Sequence, residues 1–230
     1  MKLLRNYAWL VCLALFTACG DDGPPTAPGP TGINVTGSDL VLVGNSETFV
    51  AAGNTGGLTA PRWGSDAPTV ATVDAGTGLV TAVGRGLATI FVDANGLRGT
   101  RLIRVVPNFG GDWSGSYTMI ECQSTADPTF CSWNPPGATN PLSMSFTQSR
   151  DIVLGSFQFE GQHNVSGTVS PEGILSFDYS YYTLFGSLRN IRFESTQPGH
   201  LTGTFEEVWP DASGGQALLA VFQLVGVSRK

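Results

Sequence analysis

Beyond residue 32 the chain is written in short runs of Val, Ile, Leu, Phe and Thr, interrupted by Gly, Asn, Asp and Pro. The runs alternate with a period of two, which is the side-chain period of a strand and not of a helix. Trp113, Tyr117 and Met119 fall on one face, and Ser114, Ser116 and Thr118 on the other. Leu142, Met144 and Phe146 oppose Ser143, Ser145 and Thr147, and Leu175, Phe177, Tyr179 and Tyr181 oppose Ser176, Asp178 and Ser180. The pattern predicts eight strands near 112–121, 142–149, 151–160, 163–170, 173–182, 186–196, 200–209 and 215–228. Turns such as Ser149–Asp151, Ser170–Gly173 and Gln197–Gly199 are short, so consecutive strands are antiparallel neighbours. One apolar and one Ser/Thr-rich face per strand is the signature of a sheet wrapped around its own interior. Eight strands suffice to close an antiparallel meander β-barrel, which removes exposed edges. A two-sheet sandwich is the alternative.

Residues 33–106 carry a second all-β unit with closer turn signals. Asn95-Gly96, between Ala88–Val92 and Leu97–Val106, predicts a primed-turn hairpin. Aromatic content separates the units: Phe49, Trp63 and Phe91 serve the first, whereas 113–230 holds sixteen. Pro107–Gly111 lies between them and reads as a hinge, placing the second domain at 112–230.

Two stretches of the first unit, Trp63–Asp74 (WGSDAPTVATVD) and Thr77–Ile90 (TGLVTAVGRGLATI), resemble the bacterial immunoglobulin-like domain, group 2. The resemblance implies a small β-sandwich on an exported bacterial protein, often a spacer and sometimes an adhesion module. It brings no catalytic residue. The second unit resembles the lipocalin and avidin-like barrels (calycins) in one local feature, the Gly111-Asp112-Trp113 opening, with Leu201–Phe205 similar to an avidin strand. In those barrels an arginine from the barrel's end covers the tryptophan, which implies that Arg229 closes over Trp113.

The N-terminus adds an address. Lys2 and Arg5 precede a ten-residue apolar run, Tyr7–Phe16. That run is shorter than the about 20 residues a membrane-crossing helix needs, and the layout is that of a secretory signal over 1–18. Phe16-Thr17-Ala18-Cys19-Gly20 resembles the bacterial lipobox, which implies acylation of Cys19 and a membrane partner held through acyl chains. Gly20, rather than Asp, after that cysteine implies by the same resemblance an outer-membrane address, on its periplasmic face or at the surface. Residues 19–32, with Pro24, Pro25, Pro28 and Pro30, read as a solvated tether. Eight residues separate the remaining cysteines, Cys122 and Cys131. An oxidising compartment would join them, a closure contributing roughly 2.5–3 kcal/mol by loop entropy.

Charge narrows the partners. Twelve basic against eighteen acidic residues give a net charge of −6, and lysine occurs only at Lys2 and Lys230, so no basic stripe exists to bind nucleic acid. The chain has no Gly-x-Ser-x-Gly, His-Glu-x-x-His or phosphate-binding glycine loop. His163 and His200 sit beside polar and turn residues, and Glu206 and Glu207, being adjacent, point to opposite faces of a strand. Asp74 and Asp93–Gly96 lack the ligand density of a calcium loop. The reading is therefore a non-enzyme without metal or cofactor. Tyr117, Phe157, Phe159, Phe177, Tyr179, Phe193 and Phe205 are candidates to line an apolar lumen. A filled core is the favoured outcome and a carrier of a small hydrophobic ligand the alternative; protein and glycan partners stay open.

Overall fold

The computed structural model describes residues 31–125, 129–133, 135–159, 161–177, 181–182, 186–210 and 216–230. The signal, Cys19 and nearly all of the tether lie outside these, as does Tyr179.

The first unit is a sandwich of short strands: β1 (Ile33–Thr36), β2 (Leu40–Leu42), β3 (Ser46–Thr48), β4 (Val50–Gly53), β5 (Arg62–Ser65), β6 (Ala71–Val73), β7 (Leu79–Ala82), β8 (Gly86–Ala94) and β9 (Leu97–Val106). One sheet has the order β2-β9-β8-β5 with β2 parallel to β9, a second the order β3-β7-β6, and β1 pairs with β4. Between them lie Val35, Phe49, Trp63, Ala71, Val80, Ile90, Val92 and Ile103. Asn95 and Gly96 both take positive φ, 55° and 74°, and Ala94 pairs with Leu97 across the turn. That is the two-residue primed hairpin, whose twist suits the flanking strands.

The second unit is a closed barrel. Its strands are β10 (Gly111–Ser124), β11 (Thr139–Ser149), β12 (Ile152–Gln158), β13 (Gln162–Val169), β14 (Ile174–Phe177), β15 (Tyr181–Tyr182), β16 (Ser187–Gln197), β17 (His200–Pro210) and β18 (Gln216–Arg229). A helical turn, α1 (Phe130–Trp133), follows β10. Consecutive strands pair antiparallel except β14 and β15, which run in succession along β16, and β10 pairs with β18. Eight strand positions thus close into a ring, and the two-sheet alternative falls away. Closure through β10–β18 and β14–β16 removes most of the ladder edge that an open sheet would expose.

The same alternation that predicts the strands sets inside from outside. Trp113, Tyr117, Met119, Leu142, Met144, Phe146, Phe157, Leu175, Phe193, Phe205 and Phe222 are buried in one cluster, while Ser143, Ser145 and Thr147 face out. A barrel spanning a bilayer carries its apolar band on the outside; here the apolar face is inward.

Glycines set opposite phenylalanines make this inward crowding feasible. Phe146 pairs across strands with Gly155, Phe177 with Gly167 and Phe193 with Gly203. A Cβ on Gly155 would lie 1.9 Å from the Ser145 carbonyl and 2.8 Å from the Phe146 ring. The missing side chain is what lets each ring lie against its neighbouring strand. The sandwich repeats the device with Gly64 and Phe91.

Pro107–Gly111, expected to be a hinge, is instead a plug. Phe109 is fully buried in the barrel cluster beside Leu40 and Val106 of the sandwich. Its N–H donates to Gln148 Oε1 at 2.6 Å, and Gln148 Nε2 donates to the Pro107 carbonyl at 3.1 Å. Turn-type composition suggested mobility; burial of one large ring overrides it.

Candidate functional site

The two ends of the barrel differ, and chain direction explains how. The connections at one end, residues 150–151, 170–173 and 198–199, are tight and lie at the end where the sandwich enters. At the other end stand the strand ends Ser124, Gln158, Tyr182 and Pro210 and the helical turn α1. Long connections on a rigid scaffold are where binding groups are usually carried.

At the sandwich end the domains are laced together. Arg150 Nη2 lies 2.8 Å from Asp39 Oδ1, and Arg104 Nη2 lies 3.4 Å from Asp151 Oδ2. Arg85 Nη1 donates to the Glu172 carbonyl at 3.0 Å. The hydrogen bond from Arg150 holds the Asp39 carboxyl below its ordinary range. Such exposed pairs contribute little stability, but they fix orientation around the buried Leu40, Val106 and Phe109.

Trp113 seals this end. It is 1% exposed, its indole N–H donates to the Phe109 carbonyl at 2.7 Å, and the Arg229 guanidinium stands 4.8 Å above its ring. Arg229 also donates to the Asn108 carbonyl. The pair implied by the calycin resemblance is therefore adjacent, and it holds the interdomain plug as well as the barrel's end.

The interior is packed with rings. Phe205 lies 4.9 Å from Phe222, 5.1 Å from Phe159, 5.2 Å from Phe157 and 5.8 Å from Tyr117, centroid to centroid. Phe193 meets Phe157 at 6.1 Å and Phe177 at 5.7 Å. These are the spacings of aromatic pairs in direct contact. The described candidates, Tyr117, Phe157, Phe159, Phe177, Phe193 and Phe205, thus stand in ring-to-ring contact with one another along this stack. Phe222 and Phe146, absent from the sequence candidates for the lumen, belong to the same cluster.

Glu207 was also missed as an interior group. It is 1% exposed, whereas Glu206 turns outward to Arg189 at 2.9 Å and Asn190 at 2.9 Å. The signal was available: Glu207 lies two residues beyond Phe205 on the same strand face.

The far end carries the disulfide. Cys122 and Cys131 are joined with Cα atoms 5.7 Å apart, fastening α1 to the end of β10. Phe130 packs edge-on against Trp209 at 5.0 Å, while Trp133, one turn further, is 81% exposed. Neither histidine is set against a catalytic partner in the described contacts: His163 Nε2 lies 2.8 Å from the Phe159 carbonyl, and His200 opens β17 at the surface. Asp74 accepts from the Gly76 and Thr77 backbones and the Thr77 hydroxyl, which holds its carboxyl below the ordinary range, and Asp93 is paired to Arg98 at 2.7 Å. Among the described residues no group of three or more His, Cys, Asp or Glu converges to hold a metal ion.

Residues 31–98 match the bacterial Ig-like domain (group 2) family. No curated protein matches the chain. Among solved structures, domains 5–6 of the S-layer protein SbsC align over 86% of this chain and 98% of theirs, at 14% identity and a TM-score of 0.31. Domains 4–9 of the same surface layer protein align over 88% of this chain and 44% of theirs, at 12% identity and a TM-score of 0.28. Likeness at that level carries no argument about function.

Proposed function

We propose that this chain is an exported, non-enzymatic protein of the cell envelope, held to the outer membrane by acyl chains on Cys19. Its Ig-like domain acts as a stiff spacer that presents the loop-bearing end of the barrel to a protein or glycan partner. The observation that carries this reading is the polarity of the barrel. Its tight turns clasp the Ig-like domain through Asp39–Arg150 and Arg104–Asp151, and α1, fastened by the Cys122–Cys131 disulfide, stands at the opposite end. The disulfide supports an oxidising compartment. The 81%-exposed Trp133, beside that disulfide, supports contact at the loop end, because tryptophan is enriched where binding energy concentrates. The carrier reading gains no support from an interior filled by its own rings.

Cys19→Ala tests the anchor. The unaltered protein should sediment with membranes and enter solution only with detergent, whereas the variant should appear in the soluble exported fraction with Cys122–Cys131 still joined. A variant retained in membranes to the same degree would refute anchoring through Cys19.

A further inference from the structure

A cleft of about 300 Å³ opens beside the interdomain joint. Its walls include Val43, Val83 and Arg85 of the Ig-like domain, Pro107 of the plug, Pro198 of the β16–β17 turn, and Arg229. Among the described residues no aspartate or glutamate lines it. Among the described residues, the arginine ion pairs are Arg98–Asp93, Arg104–Asp151, Arg150–Asp39 and Arg189–Glu206. Arg85 and Arg229 stand outside that set. Each donates to a main-chain carbonyl, Glu172 and Asn108 respectively, and a carbonyl does not cancel a charge. On a protein of net charge −6, two guanidinium groups without a carboxylate partner thus converge on one concave site.

A guanidinium is a planar fork of donors that matches a carboxylate, and a donor already used on a carbonyl leaves others free. Val43, Val83, Pro107 and Pro198 give the rest of the wall apolar surface, and Asn108, Ser195, Thr196 and Gln197 add polar groups, a mixture that suits a small organic body better than a fully hydrated ion. A volume near 300 Å³ admits one sugar ring or one amino-acid residue and excludes a longer chain unless it protrudes. Domain interfaces are also common places for such sites. We propose that this cleft binds the carboxylate of a small organic acid, with Arg85 and Arg229 as its charge partners. The carboxylate can belong to an acidic sugar or to the C-terminal residue of a peptide. The proposal is independent of the membrane anchor and of whatever the loop end contacts.

Calorimetric titration of the full-length protein in detergent tests it with two probes, glucuronate and N-acetyl-leucine, and their uncharged counterparts, glucose and N-acetyl-leucinamide. At least one acid should bind saturably, and its uncharged counterpart should not. Glucuronate binding assigns a glycan source and N-acetyl-leucine binding a peptide terminus. Arg85→Gln should weaken the bound acid about tenfold or more, consistent with loss of one charge-assisted contact, and Val83→Trp should block the cleft sterically. Both positions are exposed, so thermal midpoints should stay put. Arg229 is left intact because it also covers Trp113. Absence of binding by both acids, equal binding of the uncharged counterparts, or affinity unchanged in both variants would overturn the proposal.

Discussion

Phe205→Ala should destabilise the barrel by about 4 kcal/mol, the scale for deleting a large buried ring from a core that collapses only in part. Phe205 has no exposed surface and touches Tyr117, Phe157, Phe159 and Phe222. Removing it opens a gap bounded by four rings, which lose contact on one side and, being carried on the fixed strands of a closed barrel, cannot all move inward. The result separates the two readings of the interior. A filled core predicts that the unaltered protein takes up no benzene and that the variant does, since an apolar cavity of that kind stays dry and accepts small aromatics. Benzene uptake by the unaltered protein, or a loss below about 1 kcal/mol in the variant, would mean that the lumen was open from the start. Chemical denaturation with and without benzene is the measurement.

The second large effect is expected at Trp113, because that side chain serves the barrel and the interdomain joint together. Trp113→Ala removes a ring buried to 1%, its bond to the Phe109 carbonyl, and the surface on which Arg229 rests. The expected cost is about 3–5 kcal/mol. Trp113→Phe keeps a ring under Arg229 but leaves the Phe109 carbonyl without its donor, for about 1–3 kcal/mol. A double-mutant cycle with Arg229→Ala should return a coupling near 0.5–1 kcal/mol, the scale of an exposed cation over an indole. Zero coupling would mean that Arg229 merely lies nearby. Equal losses for the Phe and Ala variants would contradict the importance assigned to the ring itself.

These sites show how far the residue pattern reaches. The eight barrel strands were legible because each buries one face, and a period of two then repeats along the sequence. The Asn95-Gly96 hairpin was legible because few residue pairs accept two successive positive φ values. The closing pair Trp113–Arg229 came from a family resemblance, since nothing in spacing alone joins residues so far apart. Closure was the leading expectation from the strand count, with two sheets as the alternative. Alternation specifies a face to bury and is satisfied equally by a ring or by two sheets, so the barrel was decided by the β10–β18 pairing.

Other features escaped for a common reason. Phe109 sits in a Pro/Gly setting that reads as a hinge, yet one aromatic ring at the mouth of a barrel is enough to turn it into core. Asp39 and Arg150 are ordinary surface charges in the sequence and partners only after two domains have folded and docked. Arg85 and Arg229 gain significance because, among the described residues, no carboxylate pairs with either. Glu207 is different: strand parity pointed to its interior place, but its charge argued against looking there.

The account rests on a stiff joint between the Ig-like domain and the barrel, and a spin-label distance measurement tests it most directly. Nitroxides on Leu87→Cys and Leu154→Cys occupy exposed positions, one on each domain, while the remaining cysteines of material beginning at Thr31 are joined to each other. Because the joint is centred on buried Leu40, Val106 and Phe109 and only edged by ion pairs, a single narrow distance distribution is expected. It should persist at about 1 M salt, where surface charges are screened within about 3 Å. A distribution broadened over tens of ångströms at low salt would mean that the two domains swing freely, and the spacer reading would fail with it.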